Sequence, residues 1–186
     1  MAILSYSMIC SLDGYINDTD GNFEWAEPSA EVHAFINDRE REVGTNLYGR
    51  HLYETMAVWE TDPSLADQSP EMADYAQMWK RCEKIVYSTT LDGTWTSRTR
   101  LAKTFDPDEI RDLKATADAE IAIGGATLAA SALRAGLVDE IRLYVVPVVI
   151  GSGTPVFPTD LRLDLELLDE RRFDNGTLYL SYRPRP

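Results

Sequence analysis

A short apolar run that ends in two glycines and passes directly into a helix-forming run constrains the fold of this chain most. The run covers residues 121–123, the glycines are Gly124 and Gly125, and the helix-forming residues begin at Ala126. Such a junction is typical of a strand-to-helix connection, because glycine permits conformations and close approaches that a Cβ atom excludes. The helix N-terminus then offers free N–H groups and a partial positive charge, which suit a phosphate. A tight turn that binds no ligand explains the same two glycines equally well.

Apolar strand patterns and amphipathic helix patterns alternate along the rest of the chain. Strands are predicted at residues 2–9, 46–49, 84–88, 98–105, 121–123 and 141–150. Helices are predicted at residues 29–43, 50–59, 71–79 and 127–135, and from the cap at Asp106 onward. Residues 141–150 are apolar on both faces, which predicts a central strand, and Pro147 within them indicates a bulge or a change of partner.

The C-terminal part has the pattern of an antiparallel hairpin. Residues 161–168 alternate in polarity, residues 174–176 form a hairpin turn, and residues 177–182 form the second strand. Alternating strands and helices followed by a hairpin predict an α/β fold with a mainly parallel central sheet and an antiparallel edge. We find no repeat or linker that divides the 186 residues, so residues 1–186 are predicted to form a single domain.

Charge and cysteine content disfavour several classes of function. The formal net charge of −13 argues against nucleic acid and anionic membranes as partners, since both attract positively charged surfaces. The chain has no apolar run long enough to span a membrane and no secretory signal pattern, which predicts a cytoplasmic protein. Cys10 and Cys82 form no ligand pattern with His33 or His51, so no metal site is predicted.

Three predicted strands end in a glycine or a hydroxyl residue that leads into a helix or a loop. They lead into Gly49–Arg50, Ser88–Thr89 and Gly124–Thr127. Ligands of open α/β sheets bind beyond the carboxyl ends of the strands, so these ends are expected to hold an extended anionic cofactor. The strand end at Gly49–Arg50 combines a helix N-terminus with a guanidinium, which suits a phosphate. Each end taken singly has an ordinary structural explanation, and it is the three together that favour a binding site.

Five segments, in chain order, carry a more specific signal. They are SLDGYI at residues 11–16, LYGRHLYE at 47–54, IVYSTTL at 85–91, IAIGGA at 121–126, and GLVDEIRL with PVVIGSGTPVF between residues 136 and 157. These segments resemble the dihydrofolate reductase superfamily, and within it the branch that contains the C-terminal reductase domain of riboflavin-biosynthesis enzymes. The resemblance covers nearly the whole chain. It implies a three-layer α/β/α fold with a C-terminal hairpin, bound NADPH and a homodimer.

The resemblance assigns the carboxyl ends of three strands to NADPH. The residues that it implies for cofactor binding are Gly49, Arg50, His51, Ser88, Thr89, Gly124, Gly125, Ala126 and Thr127. Arg50 is the first choice for the 2′-phosphate that distinguishes NADPH from NADH, and residues 124–127 for the pyrophosphate. The resemblance also suggests an unusual peptide bond between Gly124 and Gly125, such as a cis one.

The resemblance places the nicotinamide and the substrate at the first loop. Asp13 would lie beside the nicotinamide, on a loop similar to the mobile loop of dihydrofolate reductases, and Trp25 at the far end of that loop would contact substrate. Asp13 is the candidate catalytic residue, which either orients the substrate or relays a proton through water. An ordinary Asp-Gly turn is the alternative. Ser7 departs from the family pattern, which has a lysine four residues before the Ser-Leu-Asp-Gly motif.

The expected activity is an NADPH-dependent oxidoreductase reaction. A hydride would pass to a C=N or C=O bond of a small heteroaromatic, carbonyl or imine substrate, either pterin-like or similar to 5-amino-6-ribosylamino-uracil. The departure at Ser7 motivates an alternative, a nucleotide-binding module on the same fold that lacks catalysis. A structural or partner-binding protein with no ligand ranks last. The expected partners are a small-molecule substrate and a second copy of the chain.

Overall fold

The computed structural model describes residues 1–185, in which ten strands and six helices form most of the chain. The strands are β1 (Leu4–Ser11), β2 (Tyr15–Asn17), β3 (Val43–Gly49), β4 (Glu83–Tyr87), β5 (Thr99–Ala102), β6 (Glu120–Gly124), β7 (Glu140–Val146), β8 (Thr154–Pro155), β9 (Leu165–Arg172) and β10 (Leu178–Pro184). The helices are α1 (Ala30–Glu40), α2 (Arg50–Met56), α3 (Val58–Thr61), α4 (Pro70–Arg81), α5 (Pro107–Thr116) and α6 (Ala126–Arg134).

Eight of the strands form one sheet in the order β5-β4-β3-β6-β1-β7-β10-β9. All pairs from β5 to β7 are parallel, whereas β10 pairs antiparallel with both β7 and β9. The predicted α/β class, with a mainly parallel sheet and a C-terminal antiparallel hairpin, is therefore confirmed. The short strands β2 and β8 form a separate two-stranded sheet.

Helices cover both faces of the sheet and produce three layers. On one face, Tyr6, Ile123 and Ile141 belong to a buried cluster that includes Ile110 of α5 and Leu133 of α6. On the other face, a cluster around Tyr53 and Trp79 packs α2 and α4 against β3 and β4, and a second cluster packs α1 against β7 and β10. Within residues 1–185, none of the helices combines the length and the apolar character that crossing a membrane requires.

A charged group lies under α1 in the middle of this second face. Arg142 is buried, and its guanidinium lies 2.6 Å from Glu120 and 2.9 Å from Glu140. Burial, with a smaller contribution from Glu120, raises the pKa of Glu40 at the end of α1 to about 7, while Arg142 acts in the opposite direction. One guanidinium thus pairs with the carboxylates of both Glu120 and Glu140, and Glu40 remains largely protonated below neutral pH.

Several predicted boundaries are wrong, and three of them have an evident physical reason. Helix α1 ends at Glu40, and Val43 begins β3 because its side chain is buried in the sheet, although its spacing from Ile36 also fits a helix. Strand β7 ends at Val146, because Pro147 has no N–H group to continue the ladder, so residues 148–150 are loop. Residues 161–164 are not strand: Leu161 and its apolar neighbour Leu163 pack on the core from an irregular segment that precedes β9.

Candidate functional site

The three predicted strand ends lie side by side at the carboxyl edge of the sheet. Strand β3 is hydrogen-bonded to β4 on one side and to β6 on the other. In the register of these parallel strands, Gly49 is opposite Tyr87 and Tyr48 is opposite Gly124. The segments that follow Gly49, Tyr87 and Gly124 therefore leave the same edge of three adjacent strands.

The two glycines at the end of β6 meet two different structural requirements. A Cβ atom on Gly124 would overlap the Leu52 side chain of α2 and lie 3.3 Å from the Tyr48 ring. Gly125 has φ +84°, a backbone conformation that favours glycine. The peptide bond between them is trans, so the suggested cis bond is wrong and the unusual feature is the dihedral angle of Gly125.

Helices α2 and α6 begin from glycine without any side-chain cap. Gly49 precedes α2 and Gly125 precedes α6, and neither helix has a side-chain acceptor for its first N–H groups. The first N–H groups of a helix have no acceptor within the helix. By contrast, side chains cap α1, α4 and α5, and the capping residues are Ser29, Ser69 and Asp106. Among the described helices the short helix α3 also lacks a side-chain cap, but only α2 and α6 begin from glycine, and these two N-termini lie together at the edge where the anionic cofactor is predicted.

The acidic residues follow the same division among the helices. Helices α1, α4 and α5 each carry at least one acidic residue in the first turn, whereas α2 and α6 carry none. A carboxylate in the first turn interacts favourably with the positive end of a helix. At α2 and α6 this favourable interaction is still available to an external anion.

Arg50 links α2 to the loop that follows β4. Its Nε lies 2.8 Å from Glu54 Oε1, and its Nη1 donates a 2.9 Å hydrogen bond to Thr90 Oγ1. The Ser88 hydroxyl is buried and accepts hydrogen bonds from two backbone N–H groups of this loop, both at 3.1 Å. Thr89 is exposed. Arg50 and Thr89 are both exposed at this edge, while the Ser88 side chain is occupied in shaping the loop.

The remaining predicted cofactor residues lie in the first turns of α2 and α6. His51 is 97 % exposed, with its Nδ1 3.7 Å from a Glu54 oxygen. Thr127 is exposed on α6, whereas Ala126 is buried and offers a ligand only its backbone. The structure therefore brings all nine predicted cofactor residues to one edge of the sheet.

Asp13 holds the loop after β1 against the loop after β7. Its carboxylate accepts hydrogen bonds from the backbone N–H groups of Ile150 at 3.2 Å and Gly151 at 2.7 Å. The Ser11 hydroxyl lowers the pKa of Asp13, and the N–H groups of Gly151 and Ile150 lower it further. An ionised carboxylate in this position accepts hydrogen bonds and does not donate a proton. The observed contacts give Asp13 a structural role between the two loops, and its two roles toward the substrate stay predictions.

Further contacts join the same two loops into one unit. Strands β2 and β8 pair, the Gly14 carbonyl accepts a 2.9 Å hydrogen bond from Val156 N–H, and the Tyr6 hydroxyl donates a 2.8 Å hydrogen bond to the Val156 carbonyl. Gly153 passes so close to Asn17 that a Cβ atom would overlap its carbonyl oxygen. We call residues 11–18 and 147–157 together the paired loops.

Trp25 lies in a short 3-10 turn, Glu24–Ala26, which packs beside β1. Its side chain is half-buried, and its indole Nε1 atom is buried without a hydrogen-bond partner among the described residues. A buried indole N–H usually has an acceptor. Trp25 therefore offers a donor that the described part of the chain does not use.

Three features of the site have no signal in the sequence pattern. Leu52 fills the space beside Gly124, Thr90 binds the Arg50 guanidinium, and Gly151 binds Asp13. The last two pairs are 40 and 138 residues apart in sequence, so neither periodicity nor local spacing can predict them. Among the described residues, no cluster of His, Cys, Asp and Glu side chains is suited to a metal ion.

Comparisons with known proteins give the family. The protein YyaP of Bacillus subtilis (strain 168) is 29% identical over 179 residues, which are 92% of this chain and 89% of that protein. A protein of Shewanella sp. PV-4 assigned to riboflavin biosynthesis superposes with a TM-score of 0.77 at 21% identity over 100% of both chains. The diaminohydroxyphosphoribosylaminopyrimidine deaminase/5-amino-6-(5-phosphoribosylamino)uracil reductase of Thermotoga maritima gives 0.66 at 14% identity, over 99% of this chain and 57% of that one. The model of the RibD C-terminal domain matches residues 2–179, and the chain therefore belongs to the RibD C-terminal domain family.

Proposed function

We propose that this chain is an NADPH-dependent reductase that transfers a hydride to a small heteroaromatic, carbonyl or imine substrate. The observation that carries the proposal is the pair of helix N-termini after Gly49 and Gly125, both without a cap or an acidic residue, on adjacent strands. Membership of the RibD C-terminal domain family supports a reductase.

The residues at the carboxyl edge fit a dinucleotide with several phosphates. The first N–H groups of α2 and α6 would bind the pyrophosphate, and the Arg50 guanidinium would bind the 2′-phosphate that NADH lacks. Thr89, exposed after β4, would lie along the adenosine half. This edge supplies positive potential locally in a chain whose net charge is −13.

NADPH, when bound, supplies the hydride, and the protein contributes binding, orientation and the exclusion of water. Asp13 holds the paired loops together beside the end of β1, which keeps the reacting end of the site in one arrangement. Holding two reactants in a productive geometry can contribute about 7–11 kcal/mol to the barrier reduction. Because Asp13 is ionised, we assign it to orientation and the proton to solvent.

Nucleotide binding and turnover test the proposal separately. We expect NADPH to raise the melting temperature and to bind more tightly than NADH in calorimetric titration. We also expect absorbance at 340 nm to fall when pyrimidine or pterin compounds with a C=N or C=O bond are added. Absence of any thermal shift with millimolar NADPH or NADH would refute the proposal. Binding without turnover of any acceptor would favour the non-catalytic nucleotide-binding module that the departure at Ser7 suggests.

We also propose that the protein forms a homodimer through one face of the C-terminal hairpin. Leu178 and Leu167 lie on the sheet face that α5 and α6 cover elsewhere, yet they are 39% and 48% exposed. Glu170 and Arg172 pair in register with Leu180 and Leu178, so an acid and a base flank the same apolar face. A twofold axis can bring Glu170 of one copy to Arg172 of the other, because an isologous contact must be self-complementary.

Light scattering coupled to size exclusion tests the dimer. Leu167→Glu is expected to shift the protein from dimer to monomer, since it places a charge on the apolar face. Val58→Glu is the matched control, because Val58 on α3 is also an exposed aliphatic residue. A wild-type chain that is monomeric at 100 μM, or equal behaviour of both variants, would contradict the proposed interface.

A further inference from the structure

The segments around the predicted substrate end of the site contain no lysine or arginine. Residues 1–38 and residues 143–161, which include the paired loops and Trp25, have neither residue type. Both segments do contain acidic side chains, and they are Asp13, Asp18, Asp20, Glu24, Glu27, Glu31 and Asp38 in the first and Asp160 in the second. The substrate end therefore has an excess of negative charge that no basic residue of its own segments offsets.

Three basic residues from other elements are engaged elsewhere. Arg171 lies on β9, three strands or about 14 Å from β1, and pairs with Glu31 at 2.9 Å. Arg142 is buried between two carboxylates, and Arg50 lies two strands from β1 on the cofactor side, bound to Thr90. Burial lowers the pKa of His33 on α1, so its imidazole is neutral at pH 7.

The same segments expose apolar side chains and a free donor. Leu12 and Phe23 in the first segment and Val149 in the second are exposed. The indole N–H of Trp25 is buried beside β1, and residues 1–185 offer it no acceptor. An apolar, aromatic molecule with one hydrogen-bond acceptor suits this combination better than a strongly hydrated anion.

We infer that the substrate is an uncharged or cationic heterocycle that carries no phosphate group. This inference rests on the proposed function, because it concerns the acceptor of the same hydride transfer. It also separates this chain from the Thermotoga maritima reductase, whose substrate name includes a phosphoribosyl group. A phosphate carries nearly two negative charges at pH 7, and here it would meet carboxylates with no guanidinium or ammonium to bind it.

Comparison of a phosphorylated and an unphosphorylated substrate tests the inference. The two probes are 5-amino-6-ribosylamino-uracil and its 5′-phosphate, with kcat/KM measured from NADPH oxidation at 20 mM and 500 mM salt. We expect the unphosphorylated compound to be preferred by at least about tenfold at low salt, a factor equivalent to ~1.4 kcal/mol. The preference is expected to shrink at high salt, because the Debye length falls to about 4 Å. Equal or higher kcat/KM for the phosphate at low salt would overturn the inference.

A charge-reversal variant tests whether the acidic residues of the first segment cause the preference for the unphosphorylated substrate. Glu27→Lys is expected to raise the relative kcat/KM of the phosphorylated probe about three- to tenfold, since it replaces an exposed carboxylate two residues after Trp25 in the chain with an ammonium. Glu42→Lys is the matched control, because it changes the net charge equally at the opposite edge of the sheet, just before β3. An equal change with both variants would overturn the inference. Failure of NADPH to bind would instead refute the proposed function, and with it the basis of this inference.

Discussion

An acidic residue at the start of α6 should have opposite effects on stability and on cofactor binding. Thr127 is exposed in the first turn of a helix that has neither a side-chain cap nor an acidic residue there. Thr127→Glu places a carboxylate near the free N–H groups. Such a charge typically stabilises a helix by about 0.3–1 kcal/mol. The free energy of unfolding without nucleotide should therefore rise by this amount or stay unchanged.

The same carboxylate should weaken NADPH binding, because it occupies the position predicted for the pyrophosphate. Two unit charges about 5 Å apart interact with ~1 kcal/mol in water and ~3 kcal/mol at the effective dielectric constant near a protein surface. The expected loss of affinity is therefore roughly 5- to 150-fold, as 1–3 kcal/mol implies. Higher salt should reduce the loss, since this interaction is screened.

Urea unfolding and calorimetric titration measure the two quantities on the same preparation. Gln77→Glu, on an exposed position of α4, is the control for the change in net charge and should leave the Kd of NADPH within about twofold. If Thr127→Glu stabilises the free protein but leaves NADPH affinity unchanged, the N-terminus of α6 is not the pyrophosphate site. If it destabilises the free protein, the assignment of an unoccupied positive helix end is itself wrong.

Three other predictions test separate parts of the structure. In calorimetric titration, Arg50→Ala should raise the Kd of NADPH at least about tenfold more than the Kd of NADH. The reason is that a charged hydrogen bond to the 2′-phosphate contributes ~1.5–3 kcal/mol. Equal losses of affinity for both nucleotides would mean that Arg50 is a general phosphate contact. Asp13→Asn should speed amide hydrogen exchange in residues 11–18 and 147–157 and lower kcat, because it removes the charge that holds Gly151; unchanged exchange would refute the role of Asp13 in holding the paired loops together. Burial raises the pKa of Glu40 to about 7 from 4.5, so stability should fall as the pH rises between these two values. Glu40→Gln should therefore raise the free energy of unfolding, measured in urea, by roughly 3 kcal/mol at pH 8, with little effect at pH 4.

The parallel sheet and its carboxyl edge were predictable because their signals are local. Each apolar run that ends in Gly49, Ser88 or Gly124 gives both a strand and the edge at which it stops, and parallel strands bring such ends together. The hairpin was predictable from its turn, although the first strand begins at Leu165 and not at residue 161. That error arose because half-buried coil against a core alternates in polarity in the same way as a strand.

The paired loops were not predictable for the opposite reason. The Asp13 carboxylate and the Gly151 N–H group are 138 residues apart, and an Asp-Gly sequence indicates only a local turn. The contact exists because β1 and β7 are parallel neighbours whose ends place both loops at one edge. Residues that are far apart in the sequence meet in such a sheet. The contacts on which the substrate end depends can therefore not be predicted from the sequence.

The glycine pair at the end of β6 shows why a motif and its ligand must be argued separately. Gly124 is required by the Leu52 side chain, and Gly125 by a backbone φ of +84°. Both requirements exist without any ligand, so a variant such as Gly125→Val would lose nucleotide binding through strain alone, at a cost of about 1–3 kcal/mol. Only hydrogen-bond donors that the fold itself does not use can indicate that an anion binds there. The uncapped N–H groups before Thr127 are such groups, and a charge placed among them perturbs binding without disturbing the packing that the glycines serve.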